Sequence, residues 1–393
     1  MARTYESTHP WLTFTLDLRS APHTLWLLLG EAQSKAEHVA GVPLLPSVQK
    51  QFHQMFLAKG VLATTAIEGN TLSEEQVRQH LEGGLELPPS MEYLKQEIDN
   101  IIDACNVIGG RVLSGASSGI SVGELLEFNR LVLRDLPLAE EVVPGEFRQH
   151  SVTVGRYRGA PWQDVPYLTD RLTAWLNTGF EPTPGCDKAF GLLKAIMAHL
   201  YIAWIHPFGD GNGRTARLVE LEILLGVGIP TVAAHLLSNH YNQTRAEYYR
   251  QLDLAHSKGG DPIGFIEYAL QGFVDGIREQ IETVRGQQIM VHWVNFIHQV
   301  FQGQDAAAGR RQRRLAIDLS ESEKPVKAPD IRRLTPRLAE AYAGKTDKTV
   351  TRDLNKLRQL ELIEKTKDGY RARPELMLAF LPPARVNETE GEA

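Results

Sequence analysis

His206-Pro207-Phe208-Gly209-Asp210-Gly211-Asn212-Gly213-Arg214-Thr215-Ala216-Arg217 decides how this chain reads. It sets an imidazole, a carboxylate, an amide, glycines at alternate positions and two guanidinium groups three residues apart within one short stretch. Glycine lacks a Cβ, so Gly209, Gly211 and Gly213 can turn successive N–H groups toward one point. Such an anion nest runs on into the free donors of a helix start. From Asn212 onward Leu218, Leu221, Leu224 and Leu225 recur at helical spacing, which places Arg214 and Arg217 on one face of the first turns. A nest followed by two forked cations is an inventory for holding a polyphosphate. A helix cap with incidental arginines would explain neither His206 nor Asp210.

These residues match His-x-Phe-x-(Asp/Glu)-Gly-Asn-Gly-Arg-x-x-Arg at every specified position and resemble the motif of the Fic family. Most members of that family are nucleotidyltransferases that move AMP from ATP onto a protein hydroxyl. The resemblance implies ATP as substrate and Mg²⁺ as its companion. His206 would be the general base that takes the target's proton, a task suited to an imidazole. Asp210 would hold Mg²⁺, a hard cation that binds one or two carboxylates together with phosphate oxygens. Asn212 and the N–H groups around Gly209, Gly211 and Gly213 would hold the α-phosphate. Arg214 would grip the β-phosphate and Arg217 the γ-phosphate as forks. Phe208 reads as core beneath the loop.

Far upstream, Thr64-Thr65-Ala66-Ile67-Glu68-Gly69-Asn70 resembles the family's inhibitory motif, (Ser/Thr)-x-x-x-Glu-(Gly/Asn). Taken alone, a helix ending in Glu-Gly-Asn is also a common C-terminal cap. With the motif beside it, the implied role is that Glu68 occupies Arg217, so that ATP binds only in an unproductive pose. Between Gly145 and Pro161 the period changes to an alternation through Ser151 to Val154, with a glycine turn at Gly155-Arg156-Tyr157-Arg158-Gly159, which predicts a short hairpin. The lead-in Gly145-Glu146-Phe147-Arg148 also resembles that before the family's active-site flap. A flap would offer a free strand edge to an extended segment of a target protein. Val154, Gly155, Arg156 and Tyr157 would then lie nearest the nucleotide. Tyr248 is carried over as a pocket residue.

With 393 residues, 42% hydrophobic and 23% charged, the composition is that of a globular chain with a sizeable core and not of a disordered one. Cys105 and Cys186 have neither metal nor disulfide spacing and fit a reducing compartment. The N-terminus has no signal-type apolar segment, and apolar runs such as Leu25 to Leu29 are too short to span a bilayer. The expectation is therefore a cytoplasmic protein with no membrane partner. The net charge of −6 conceals an asymmetry: residues 1–302 carry 23 basic against 33 acidic side chains, and residues 303–393 carry 19 against 15. Different partners are expected for the two parts.

The fold expected is all-α: a Fic-type helical bundle with a short β-hairpin flap, followed by a C-terminal winged helix-turn-helix. The domain bounds are 1–110 for an N-terminal cap with the inhibitory helix, 111–302 for the catalytic domain, 310–381 for the winged helix and 382–393 for a disordered tail. In the winged part, Ile331 to Ala343 and Thr346 to Leu360 form a helix pair, and Leu362 to Arg373 a wing turning at Asp368-Gly369. Lys348, Thr349, Thr351, Arg352, Lys356 and Arg358 would meet DNA. The same module could instead bind protein or join two copies as a homodimer. Two further readings stay open for the whole chain: hydrolytic removal of AMP with Glu68 as base, and a DNA-bound regulator that senses nucleotide.

Overall fold

The computed structural model describes residues 3–44, 46–115, 119–304 and 306–378; the expected tail from 382 lies outside the described residues. The chain divides into two compact units, Met1–Ile281 and Glu282–Ala393. The division lies upstream of the boundary expected between 302 and 310. No break falls at 110, because the hydrophobic core of the first unit runs from Tyr5 to Ile277.

The first unit starts with α1 (Thr4–Thr8), α2 (His23–Gly41), α3 (Pro46–Ala66), α4 (Glu74–Leu81), α5 (Glu92–Leu113) and α6 (Val122–Leu133). A hairpin follows, β1 (Thr153–Val154) with β2 (Tyr157–Arg158), and then α7 (Val165–Thr178), α8 (Asp187–Ile205) and α9 (Asn212–Gly226). After α10 (Thr231–Ala234), α11 (Leu236–Gln243) and α12 (Arg245–Ser257), the long α13 (Ile263–Val300) gives its first half to this unit. The α8–α9 pair is the centre. On α8, Leu192, Ile196, Leu200 and Ile205 are fully buried, each worth about 1.5–3 kcal/mol of burial. That packing, with α2 and α7 against it, makes a rigid base for the loop after it. By length and mean hydropathy (1.3), α8 would also pass for a membrane span, but 72% of that window is buried inside the bundle.

Local chemistry explains most element ends. Ser121 with Glu124, and Ser73 with Gln76, form capping boxes. Three element ends differ from what the local sequence pattern alone suggests. The helix from Met91 continues through Gly109-Gly110 to Leu113, because a helical glycine costs only about 1 kcal/mol and Ile108 and Val112 still pack on the core. The helical pattern from Ser238 to Ala255 is broken at Thr244, whose hydroxyl donates to the His240 carbonyl (2.7 Å) and meets the Tyr268 hydroxyl (2.6 Å). Residues 331–343 hold a 3₁₀ turn, Ala328–Arg333, and a shorter helix, since Thr335 caps and Pro336 takes the first helical position.

The second unit contains the rest of α13, α14 (Ala307–Ser320), α15 (Pro336–Ala341), α16 (Asp347–Gln359) and the hairpin β3 (Ile363–Thr366) with β4 (Gly369–Ala372). Val326 pairs with Tyr370 as an isolated bridge beside that hairpin. Trp293, Phe301, Leu315, Ile331, Leu354 and Leu362 centre its core. α14 starts a few residues before 310, where the winged helix was expected to begin. It presents Arg311 to a buried Asp353 (2.6 Å), which also accepts from Gln312 and Tyr342.

Candidate active site

The site is built where α8 stops and α9 starts. His206 caps α8 in the left-handed conformation (φ 53°), rare for a residue with a Cβ and a mark of a functional turn. Arg148, buried within the unit, holds that turn: its guanidinium donates to the carbonyls of His206 (2.6 Å), His150 (2.6 Å), Ile205 and Ala160, and its own N–H donates to the Pro207 carbonyl. Burial lowers the Arg148 pKa to about 10. At the other end of the loop, Asn212 closes a ring with Phe208, accepting from its N–H and donating to its carbonyl, both at 2.9 Å. Phe208 is core, as expected, stacked on Phe147.

Gly211 has φ 76° and caps α9, which leaves the first N–H groups of that helix facing outward. Glu68 sits on them. A Cβ at Gly213 would fall inside the Glu68 carboxylate, so only glycine permits this approach. Glu68 Oε1 accepts from Arg217 Nη2 at 2.6 Å, and the same Nη2 donates to the Thr64 carbonyl at 2.9 Å. The Arg217 side chain is wholly buried, and its Nε and Nη1 have no partner. Two buried donors of this guanidinium are thus left unsatisfied within the protein. Burial pushes the Glu68 carboxyl upward, but Arg217, Arg214 and His206 outweigh it and hold the group below the usual carboxylate range. Glu68 keeps 31% of its side-chain surface exposed, in a cavity that it helps to line.

That cavity measures about 670 Å³ and is lined by the predicted Val154, Gly155, Arg156, Tyr157, His206, Asn212, Gly213 and Tyr248. Arg214 and Arg217 lie behind it, buried, and Gly209, Asp210 and Gly211 form the loop beside it. Burial brings the His206 pKa down to about 4, so the imidazole is neutral at physiological pH. The Ala203 backbone opposes that fall without outweighing burial. Asp210 Oδ1 accepts from the Gly211 N–H (2.5 Å) and from Arg214 Nη2 (3.3 Å); Oδ2 enters neither bond, and half the side chain is exposed. Among the described residues no group of three His, Cys, Asp or Glu forms a metal cage. A lone carboxylate with a free oxygen suits Mg²⁺ carried in on phosphates.

Sequence reasoning missed several members. Tyr249 lines the cavity beside Tyr248, and its Tyr-Tyr pairing was the available signal. Tyr248 is held from behind by His199 (2.8 Å), whose other nitrogen lies 3.1 Å from the buried Glu220. Asn129, fully buried, donates to the Asp210 carbonyl (2.9 Å) and accepts from the Gly145 N–H (3.0 Å), clamping the loop to the hairpin's lead-in. Glu97 on α5 binds Arg214 Nη1 at 3.2 Å. No local pattern marks Asn129 or Glu97.

The fold is a helical bundle, and the site sets a helix N-terminus beside two buried arginines, an arrangement that could hold an anion. Residues 119–224 match the family model described as Fic/DOC family. Protein adenylyltransferase fic-1 of Caenorhabditis briggsae is 34% identical over 226 residues, 57% of this chain and 41% of that protein. Protein adenylyltransferase Fic of Culex quinquefasciatus is 30% identical over 60% of this chain and 43% of its own. The chain thus spans less than half the length of these relatives. Among solved structures, a Fic family protein from Desulfovibrio desulfuricans G20 superposes with TM-score 0.54 over 89% of this chain and 95% of its own, at 24% identity. Fic-1 of C. elegans does so with TM-score 0.54 over 66% and 72%, at 27% identity.

Proposed function

We propose that this chain is a protein adenylyltransferase that moves AMP from MgATP onto Tyr, Thr or Ser hydroxyls of a target protein, itself included, under restraint by Glu68. The observation that carries this reading is the Glu68 carboxylate seated on Arg217 at the start of α9, in the cavity that His206 lines. An internal carboxylate occupies one donor that a phosphate would need, while other donors of the same guanidinium stay unpaired. The curated relatives are named protein adenylyltransferases, which supports the same chemistry. Neutral His206 takes the proton of the target hydroxyl as that oxygen bonds to the α-phosphorus and pyrophosphate leaves. Arg214 and Arg217 receive the β- and γ-phosphates, and the α9 N-terminus with Asn212 and Gly213 receives the α-phosphate. Asp210 would hold Mg²⁺, which supplies charge neutralisation on the phosphates when bound.

The hairpin supports docking of an extended target segment. Gly159 donates to the Val152 carbonyl, so the next pair, Thr153 and Arg158, turns its peptide groups outward. His9 Nε2 already meets the Arg158 carbonyl (2.9 Å), which leaves the Thr153 edge for the target. A second reading, hydrolytic removal of AMP, draws on the partly exposed Glu68 in the same cavity as His206, where it would position water. The second unit has the element order of a winged helix. Lys348, Thr351, Arg352 and Lys356 share the exposed face of α16, which suits duplex DNA. The core reading is tested with the purified chain, α-labelled ATP, Mg²⁺ and a cell lysate. His206→Ala should abolish labelling while ATP binding persists, and equal labelling by both proteins would reject the assigned base.

A further inference from the structure

The motif accounts for Arg217 and its carboxylate but not for what holds Arg214. Its fork lies between two carboxylates, Asp210 on the loop (3.3 Å) and Glu97 on α5 (3.2 Å), with its side chain 6% exposed. The second oxygen of Glu97 accepts from Asn70 Nδ2 at 2.8 Å. Asn70 follows Glu68 by two residues. Its amide also donates to the Leu94 carbonyl on α5 and accepts from the Leu72 N–H, so it is locked in place. One chain of bonds therefore runs from Arg214 through Glu97 and Asn70 into the turn that presents Glu68 to Arg217.

We propose that Glu97 is a positioning residue that aims Arg214 at the nucleotide's β-phosphate and, through Asn70, ties it to the Glu68 turn. This rests on the reading of Arg214 as a β-phosphate ligand. A guanidinium fork must face its phosphate to make two parallel bonds, and a side chain with this many rotatable bonds loses that aim unless something holds its far side. Asp210 cannot do this alone, because the cation it would hold competes for the same carboxylate. Glu97 is placed to do it from behind, leaving the cavity side open. Burial raises its pKa, while Asn70 and Arg214 oppose the rise and keep it a partner for both. Losing the carboxylate would free Arg214 to swing fully onto Asp210, and losing Asn70 would loosen the Glu68 turn while leaving the Glu97–Arg214 pair in place.

The test is equilibrium binding of AMP, ADP and ATP to the full chain in a Glu68→Gly background, with Arg214→Ala, Glu97→Gln and Asn70→Ala compared. Arg214→Ala checks the underlying reading. It should weaken ADP about tenfold or more and leave AMP unchanged, and an equal loss for both would reject Arg214 as the β-phosphate ligand whatever Glu97 does. Given that result, Glu97→Gln should weaken ADP and ATP severalfold or more with AMP unchanged, at a melting temperature close to the parent's. Unchanged or tighter ADP binding would overturn the proposal, since a carboxylate that merely competes with phosphate gives the opposite sign. Equal loss for AMP and ADP would also overturn it and mark a purely structural group. The tie is read in the chain that retains Glu68: Asn70→Ala should raise ATP affinity there and have no effect once Glu68 is glycine. Equal effects of Asn70→Ala in both backgrounds would refute the coupling.

Discussion

Replacing Glu68 by glycine tests the central contact of this molecule. The bond removed is a single charged one, Arg217 Nη2 to Glu68 Oε1 at 2.6 Å, with the arginine side chain wholly buried. A hydrogen bond to a charged group contributes about 1.5–3 kcal/mol. The Glu68 side chain keeps 31% exposure, so solvent screening favours the lower part of that range. At about 1.4 kcal/mol per decade, the freed guanidinium should raise AMP transfer about tenfold, with about a hundredfold as the ceiling. Thr64 still accepts from Nη2, so Arg217 should stay in place rather than collapse into the opened space. The assay is initial-rate transfer of α-labelled phosphate to protein at subsaturating ATP, for wild type, Glu68→Gly, Arg217→Ala and the double variant. The double variant should lose the gain, because the fork that Glu68 released is gone. A fall in transfer with Glu68→Gly, or unchanged transfer together with loss of AMP removal from a modified target, would refute inhibition and leave Glu68 as the hydrolytic base.

Two other predictions concern different parts of the chain. Burial lowers His206 and His235 from 6.5 to about 4, so the unfolded chain binds more protons than the folded one between those values. Stability should therefore be complete above about pH 6.5 and fall as pH drops toward 4; His235→Asn should shallow the decline in melting temperature by about one proton, and an unchanged slope would reject this account. Full-length protein should bind duplex DNA with an affinity that falls as salt rises, and Arg352→Ala with Lys356→Ala should lower the logarithmic salt slope by about one for each phosphate no longer neutralised. Salt-independent or absent binding, with self-association in its place, would assign the second unit to dimerisation.

The fold could be read from the sequence where chemistry is local. The glycines and arginines of 206–217, the two capping boxes and the hydrophobic stripe of α8 each act within a few residues. The helix α2 was not singled out within residues 1–50: Leu25, Leu28, Leu29, Ala32 and Ala36 are buried at helical spacing, but half of that stripe is small or crowded among aromatics and prolines, and the N-cap Pro22 offers no side-chain bond. The site could be read as a list of ligands and not as a scaffold. Asn129 reaches a loop 81 residues away and Glu97 an arginine 117 residues away, separations at which periodicity carries no information. The Glu68–Arg217 contact spans 149 residues and was reached only because both ends carry a recognisable motif.

Arg148 has a consequence for the order in which this site is made. The carbonyls that its guanidinium gathers come from neighbours at separations of 2 and 12 residues and from the α8 terminus at 57 and 58. Until the distant pair arrives, a desolvated cation has only part of its donors satisfied, a costly state in which to wait. The hairpin's approach and the His206 turn therefore become ordered in one event, each lacking its hydrogen-bond partners without the other. Loop-closure entropy is lost once for both. In native-state hydrogen exchange the two segments, remote in sequence, would open as a single cooperative unit. The His206 turn and the strand edge of the hairpin thus share one stability.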